Sequence, residues 1–244
     1  MVTTASTLLR RWWGALMRQD GVHTRGKGSA MSLARTERAA LADDLDKLGP
    51  AAPTLCQGWL SDDLLCHLLI RENDPIGALG GQIDLFDEIG ARRTEKLERS
   101  TSFAERVQRF RSGPSRLSVF RIPGVDRIAN GAEFFIHHED LLRAQPGWTP
   151  RTLGHQTETH LATSLSRMGR LFTRHSPVGV RAELSDQTGA LHRIWLHPGD
   201  RIVTLVGLPS EVLLYCFGRT GAARVEILGE PEAVEAFRTT ELSV

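Results

Sequence analysis

Apolar residues along the chain follow two regimes: helical spacing from Ser32 to about Arg174, then alternation beyond Ser176. Leu33, Ala39, Leu41, Leu45 and Leu48 mark a first helix that Gly49-Pro50 ends. A loop through Pro53 and Gly58 leads to a second, with Ser61 as the expected N-cap and Asp62 and Asp63 suiting the positive end of its dipole. This helix runs to about Asn73, where Asp74-Pro75 reads as a fresh N-cap and N1 pair at which the chain bends and resumes. Residues 81–100 are charged and weakly patterned, and Phe103 to Phe110 is another helical piece. After the Pro123-Gly124 turn, Val125 to Ala144 predicts a long helix closed by Pro146-Gly147, followed by one from Thr152 to Arg174. Short-to-moderate connections between these helices are the ingredients of a bundle of four, or up to five, helices.

Past Ser176-Pro177-Val178-Gly179, Val180 to Leu184 and Leu191 to Leu196 predict a hairpin around Thr188-Gly189, and Arg201 to Val206 a third strand. Ser210 is expected to cap a short helix over Glu211 to Phe217 that Gly218 stops. Arg224 to Leu228 reads as a strand, and Pro231 opens a last helix through Phe237. The expected organisation is a helical bundle over 32–176, then a small α+β domain over 177–244. Residues 1–31 stand apart. Leu8 to Met17 is apolar, but it is short and interrupted by an arginine pair, and no small-residue cleavage site follows, so it makes a poor signal peptide. The expectation is a mobile extension, or a start assigned too early with Met31 as the true one.

Composition narrows the function classes. Lysine plus arginine (30) nearly cancels aspartate plus glutamate (29), which gives no support for nucleic acid as a partner. No run of about 18 apolar residues exists to span a bilayer. Three cysteines, Cys56, Cys66 and Cys216, lack framework spacing and read as buried free thiols in a reducing, cytoplasmic setting. Nothing in the composition fixes an oligomeric state, monomer or dimer.

The helix from Val125 to Ala144 carries the chemistry. At about 100° per residue, with Glu133 at zero, His137 falls at about 40°, Asp140 at about 340° and Asn130 at about 60°. Phe134 and Leu141 flank this polar stripe on one side and Ile136 on the other. A stripe so bordered faces the interior, where unpaired carboxylates and imidazoles are costly. A divalent cation would compensate for them, and a carboxylate and a histidine at i, i+4 present two ligands from one helix. His67, among Leu64, Leu68 and Ile70 on the second helix, supplies a third donor if the stripes face each other. Three protein ligands leave a position open, as in catalytic zinc sites, although the set also admits Fe(II), Ni(II) or Mn(II). The plainer alternatives are a hydrogen-bonded core histidine at 67 and an ordinary ion pair at 133 and 137. Asp140 is either an acceptor for a ligand histidine or a partner of Arg71. His138 lies to one side and reads as a packing residue.

These residues carry a family resemblance. Thr54 to Leu69 (TLCQGWLSDDLLCHLL) and Asn130 to Ala144 (NGAEFFIHHEDLLRA) resemble the metal-binding domain of mycothiol-dependent maleylpyruvate isomerases, which are DinB-like four-helix bundles. The matching positions are Gly58-Trp59, Asp63, His67, Glu133, His137 and Asp140. Leu208 to Gly229 is similar to the small second domain often attached to that bundle. His137-His138-Glu139-Asp140 looks closest to an actinobacterial subgroup of metal-binding proteins. The resemblance implies zinc at His67, Glu133 and His137, with mycothiol as cosubstrate at the open position and an electrophilic small molecule as its target. The activity implied is that of a thiol-dependent S-transferase or isomerase. The alternative is a metal-binding sensor or small-ligand binder without catalysis. Arg71 and Arg219 are candidates for holding a carboxylate, and Asn130 for orienting a ligand. For Arg219 a basic residue just past a helix end is the competing reading.

Overall fold

Long, strongly periodic segments become helices, and the loops between them are set by local capping chemistry. The computed structural model describes residues 32–73, 84–114, 125–185 and 191–242. Helices α1 (Leu33–Leu48), α2 (Ser61–Asn73), α3 (Asp84–Ser100), α4 (Phe103–Ser112), α5 (Val125–Arg143) and α6 (His155–Phe172) precede a mixed α+β region. That region contains β1 (Gly179–Ser185), β2 (Leu191–His197), β3 (Ile202–Gly207), α7 (Pro209–Cys216), β4 (Glu226–Leu228) and α8 (Pro231–Arg238). Asp74-Pro75, Pro123-Gly124 and Thr188-Gly189, expected as turns or breaks, lie outside the described residues, as does the segment before Ser32.

Capping differs from the sequence expectation in instructive ways. Ser61 does not cap α2. Its hydroxyl donates to the Gly49 carbonyl and accepts from the Ala52 N–H, tying the preceding loop together. Asp63 reaches back instead, accepting the Leu60 N–H at 2.9 Å, as the third residue of a capping box does. Ser210 likewise lies inside α7 rather than ahead of it, and its N–H and hydroxyl both donate to the Glu158 carboxylate of α6 (3.0 and 2.9 Å). A carboxylate from a neighbouring helix thus satisfies one of the free N–H groups of that terminus. The weakly patterned stretch before residue 100 is helical as α3, with an Arg99–Glu95 pair one turn apart (2.6 Å).

The four strands lie in the order β2-β1-β3-β4, with β1 antiparallel to β2, parallel to β3, and β3 antiparallel to β4. Val180, Ala182, Leu184, Leu196, Val203 and Leu205 are buried on its inner face. Helix α6 lies so close that a Cβ on Gly169 would collide with Leu196 of β2.

Two apolar clusters organise the chain. One is built by α1, α2, α4 and α5 around Leu41, Leu45, Leu64, Leu68, Phe110, Phe134 and Leu141. The other joins the sheet to α6, α7 and α8, and takes Phe135 and Ile136 from α5. Helix α5 therefore belongs to both cores, and from Asn130 onward it is buried almost all round, including His137, His138, Glu139 and Asp140.

Buried charges hold the helices in register. Arg38 of α1 pairs with Glu72 of α2, donates to the Phe110 carbonyl (3.1 Å) and stacks over the Phe134 ring at 4.6 Å. His138 is not a packing residue. It stands between two carboxylates, Glu37 on Nδ1 and Asp44 on Nε2, each at 2.9 Å. Arg151 and Arg143 extend this network to Glu139 and Glu211.

Glu72→Ala would strand the buried Arg38 charge, so denaturant unfolding should show a loss of about 3–5 kcal/mol. Burial raises the Glu158 pKa despite its bonds to Ser210. The protonated carboxyl thus favours the fold below the ordinary value of 4.5, and that contribution fades as pH rises through the raised one. Denaturation midpoints of Glu158→Gln should accordingly fall less than those of the parent over the same window.

Candidate metal centre

Helices α2 and α5 face each other across the first core, because Leu64, Leu68, Phe134 and Leu141 share one cluster. That packing brings His67 opposite Glu133 and His137. One donor atom from each of the three lies within 4.8 Å of the others. Glu133 Oε1 is 3.8 Å from His67 Nε2 and 3.3 Å from His137 Nε2. The two imidazoles meet nearly edge-on with centroids 5.3 Å apart, and Trp59 closes over His67 at 5.1 Å. Glu133 and His137 are largely buried, whereas 36% of the His67 side chain remains accessible, which leaves the centre open on that side.

Arg71 and Asn130 belong to the same wall. Arg71 Nε is 3.3 Å from Glu133 Oε1, and its Nη1 donates to Asn130 Oδ1 at 2.6 Å. Asp140 pairs with Arg219 and not with Arg71. Arg219 donates to both carboxylate oxygens at 2.7 and 2.6 Å, and Asp140 Oδ2 also faces His137 Nδ1 at 3.0 Å. With Nδ1 committed to Asp140, the Nε2 of His137 is the nitrogen turned toward Glu133 and His67.

Charge state follows from these contacts. Burial disfavours a charged His137, but Asp140 on one nitrogen and Glu133 on the other outweigh it and hold its pKa well above the ordinary value. Burial also works against an ionised Glu133, yet Arg71 and the two histidines keep it well below the carboxylate norm. Asp140, despite burial, is pulled down to about 2 by Arg219 and His137. Desolvation, with His137 and Arg71 close by, lowers His67 even though Glu133 pulls the other way.

One member of this neighbourhood carried no sequence signal. Cys56, expected to be a buried thiol, is half-buried in the loop before α2. Its Sγ lies 3.2 Å from Asp140 Oδ2, 3.3 Å from Arg219 Nη2 and 4.0 Å from His137 Nδ1. A loop residue has no periodicity from which its facing could be read. Cys66 and Cys216 are buried as expected, and burial pushes both thiols up to about 12.

Among solved structures, the chain is similar to a mycothiol-dependent maleylpyruvate isomerase, with a TM-score of 0.52 and 15% identity over 86% of this chain and 93% of that one. It shares that fold. A histidine-to-alanine variant of a mycothiol-dependent maleylpyruvate isomerase also aligns, at 17% identity and a TM-score of 0.46, over 80% of this chain and 90% of that one. No protein-family model matches the chain, and no curated protein sequence does. At these identities the likeness is one of fold: a helical region and a small sheet in the same chain. Among the described residues no helix is long and apolar enough to cross a membrane.

The cysteines yield a direct check. Iodoacetamide at neutral pH should label Cys56 alone in the folded protein, and all three after denaturation, by peptide mass spectrometry.

Proposed function

We propose that the protein binds one divalent metal ion, zinc by ligand preference, through His67, Glu133 and His137, and uses it to activate a small-molecule thiol. The observation that carries this reading is the convergence of two imidazoles and a carboxylate from two helices, with one side of the cluster accessible at His67. Two imidazoles and a carboxylate suit zinc, and three protein ligands leave a position for an exogenous one. A bound ion would supply Lewis acidity, which favours the thiolate form of a sulfur ligand.

The fold shared with a mycothiol-dependent isomerase supports a thiol of the mycothiol type as cosubstrate. It also supports reading α1, α2, α4 and α5 as a DinB-like four-helix bundle, with the sheet region as a second domain from about residue 177. The remaining roles belong to this chain's own residues. Asp140 holds the tautomer of His137, Arg71 steadies Glu133, and Asn130 fixes Arg71. A thiolate directed at an electrophilic substrate leaves again in an isomerase and stays attached in an S-transferase.

Elemental analysis of untagged protein should find about one equivalent of transition metal, as a single three-ligand site requires. His67→Ala should lose it with little change in melting temperature, because His67 is only partly buried. Loss of most of the stability along with the metal would make the ion a structural tie between helices. Conjugation of mycothiol to a generic electrophile should be faster with loaded than with chelated protein.

A further inference from the structure

His137 offers a metal two different sets of partners. Through Nε2 it faces His67 and Glu133, and through Nδ1 it faces Cys56 and Asp140, whose donor atoms also lie within 4.8 Å of one another. By donor chemistry the second set is the stronger attractor for zinc-like ions, because it contains a sulfur ligand. The occupant in this structure is Arg219.

We propose that Arg219 decides which side of His137 binds metal, by filling the Cys56–Asp140 set with a fixed positive charge. Its guanidinium uses both oxygens of Asp140 and approaches Cys56 Sγ at 3.3 Å, so it engages two of the three donors. An ion there would displace these contacts and meet a cation at close range in a buried site, where charge repulsion is poorly screened. Arg71 does not shut the first set in the same way. It approaches one donor oxygen of Glu133 at 3.3 Å, while its Nη1 is drawn aside to Asn130. Arginine suits the blocking role because its planar fork matches a carboxylate and it stays charged under all ordinary conditions. With Arg219 replaced by a neutral side chain, an ion in its place would itself favour the Cys56 thiolate, the proton leaving to solvent, and would take up thiolate, imidazole and carboxylate donors.

This inference rests on the metal-site reading above, and cobalt(II) separates the two. The parent protein loaded with cobalt should show visible ligand-field absorption without a sulfur-to-cobalt charge-transfer band in the near ultraviolet. Arg219→Gln should gain that band, Arg219→Lys should not, and adding Cys56→Ser to Arg219→Gln should abolish it. A parent that binds no cobalt defeats the metal-site reading itself. A parent that already shows the sulfur band overturns the blocking role, as does a folded Arg219→Gln protein that binds cobalt without the band or binds none. Should Arg219→Gln fail to fold, the Cys56→Ser single variant decides. Its cobalt affinity should stay close to the parent's, and a loss of roughly tenfold or more, the scale of a removed coordinating or supporting group, would place Cys56 at the metal with Arg219 present. Iodoacetamide labelling of Cys56 in the cobalt-loaded parent tests the same point independently: undiminished labelling is expected, and protection overturns the proposal.

Discussion

The structure depends on the burial of a polar helix. Helix α5 is wedged between two apolar cores, yet along its buried length it carries Asn130, His137, His138, Glu139, Asp140 and Arg143. Each such group costs several kcal/mol if left without a partner in a dry interior. Packing alone therefore cannot place this helix; several elements around it present matching charges. Helix α1 provides Glu37 and Asp44 for His138, α7 provides Glu211 for Arg143, and the turn after α7 provides Arg219 for Asp140. The fold reads as a set of apolar layers whose mutual register is fixed by the demands of one helix.

The candidate centre grows out of that arrangement. Glu133 and His137 lie on the part of α5 that faces α2, and α2 answers with His67 and Arg71 in place of a neutralising lysine or arginine alone. Contrast the opposite side of α5, where His138 is saturated by two carboxylates and leaves no donor converging on a common point. Adjacent histidines thus have opposite fates. One is a closed structural bridge, and the other is held by a single carboxylate on Nδ1 so that Nε2 joins an accessible cluster.

How much of this was legible in sequence follows from what periodicity encodes. The stripe of Asn130, Glu133, His137 and Asp140 between Phe134 and Ile136 emerged from helical geometry, whereas the facing of His67 toward it stayed conditional on how the two helices pack. The helical region with a sheet after it was also legible, since the hydrophobic period changes near residue 176. What periodicity leaves out is the identity of partners across long separations. Arg71 was the arginine expected beside Asp140, and packing supplies Arg219 in its place. Ser61 and Ser210 looked like caps by residue type, but capping depends on which backbone position the helix begins at, and each lies one or two residues inside that point. Helix α3 was hard to read because charged and polar residues outnumber its apolar ones.

The contact between Cys56 and Arg219 spans 163 residues of chain, and that between Asp140 and Arg219 spans 79. Synthesis proceeds from the N-terminus, so the helices bearing His67, Glu133, His137 and Asp140 leave the ribosome before the guanidinium that restrains Asp140 and Cys56 exists. During that interval the Asp140 carboxylate and the Cys56 thiol lack the cation that pairs with them in the finished fold. The order of synthesis thus leaves the last restraint on Asp140 and Cys56 to a residue made after every helix of the first core.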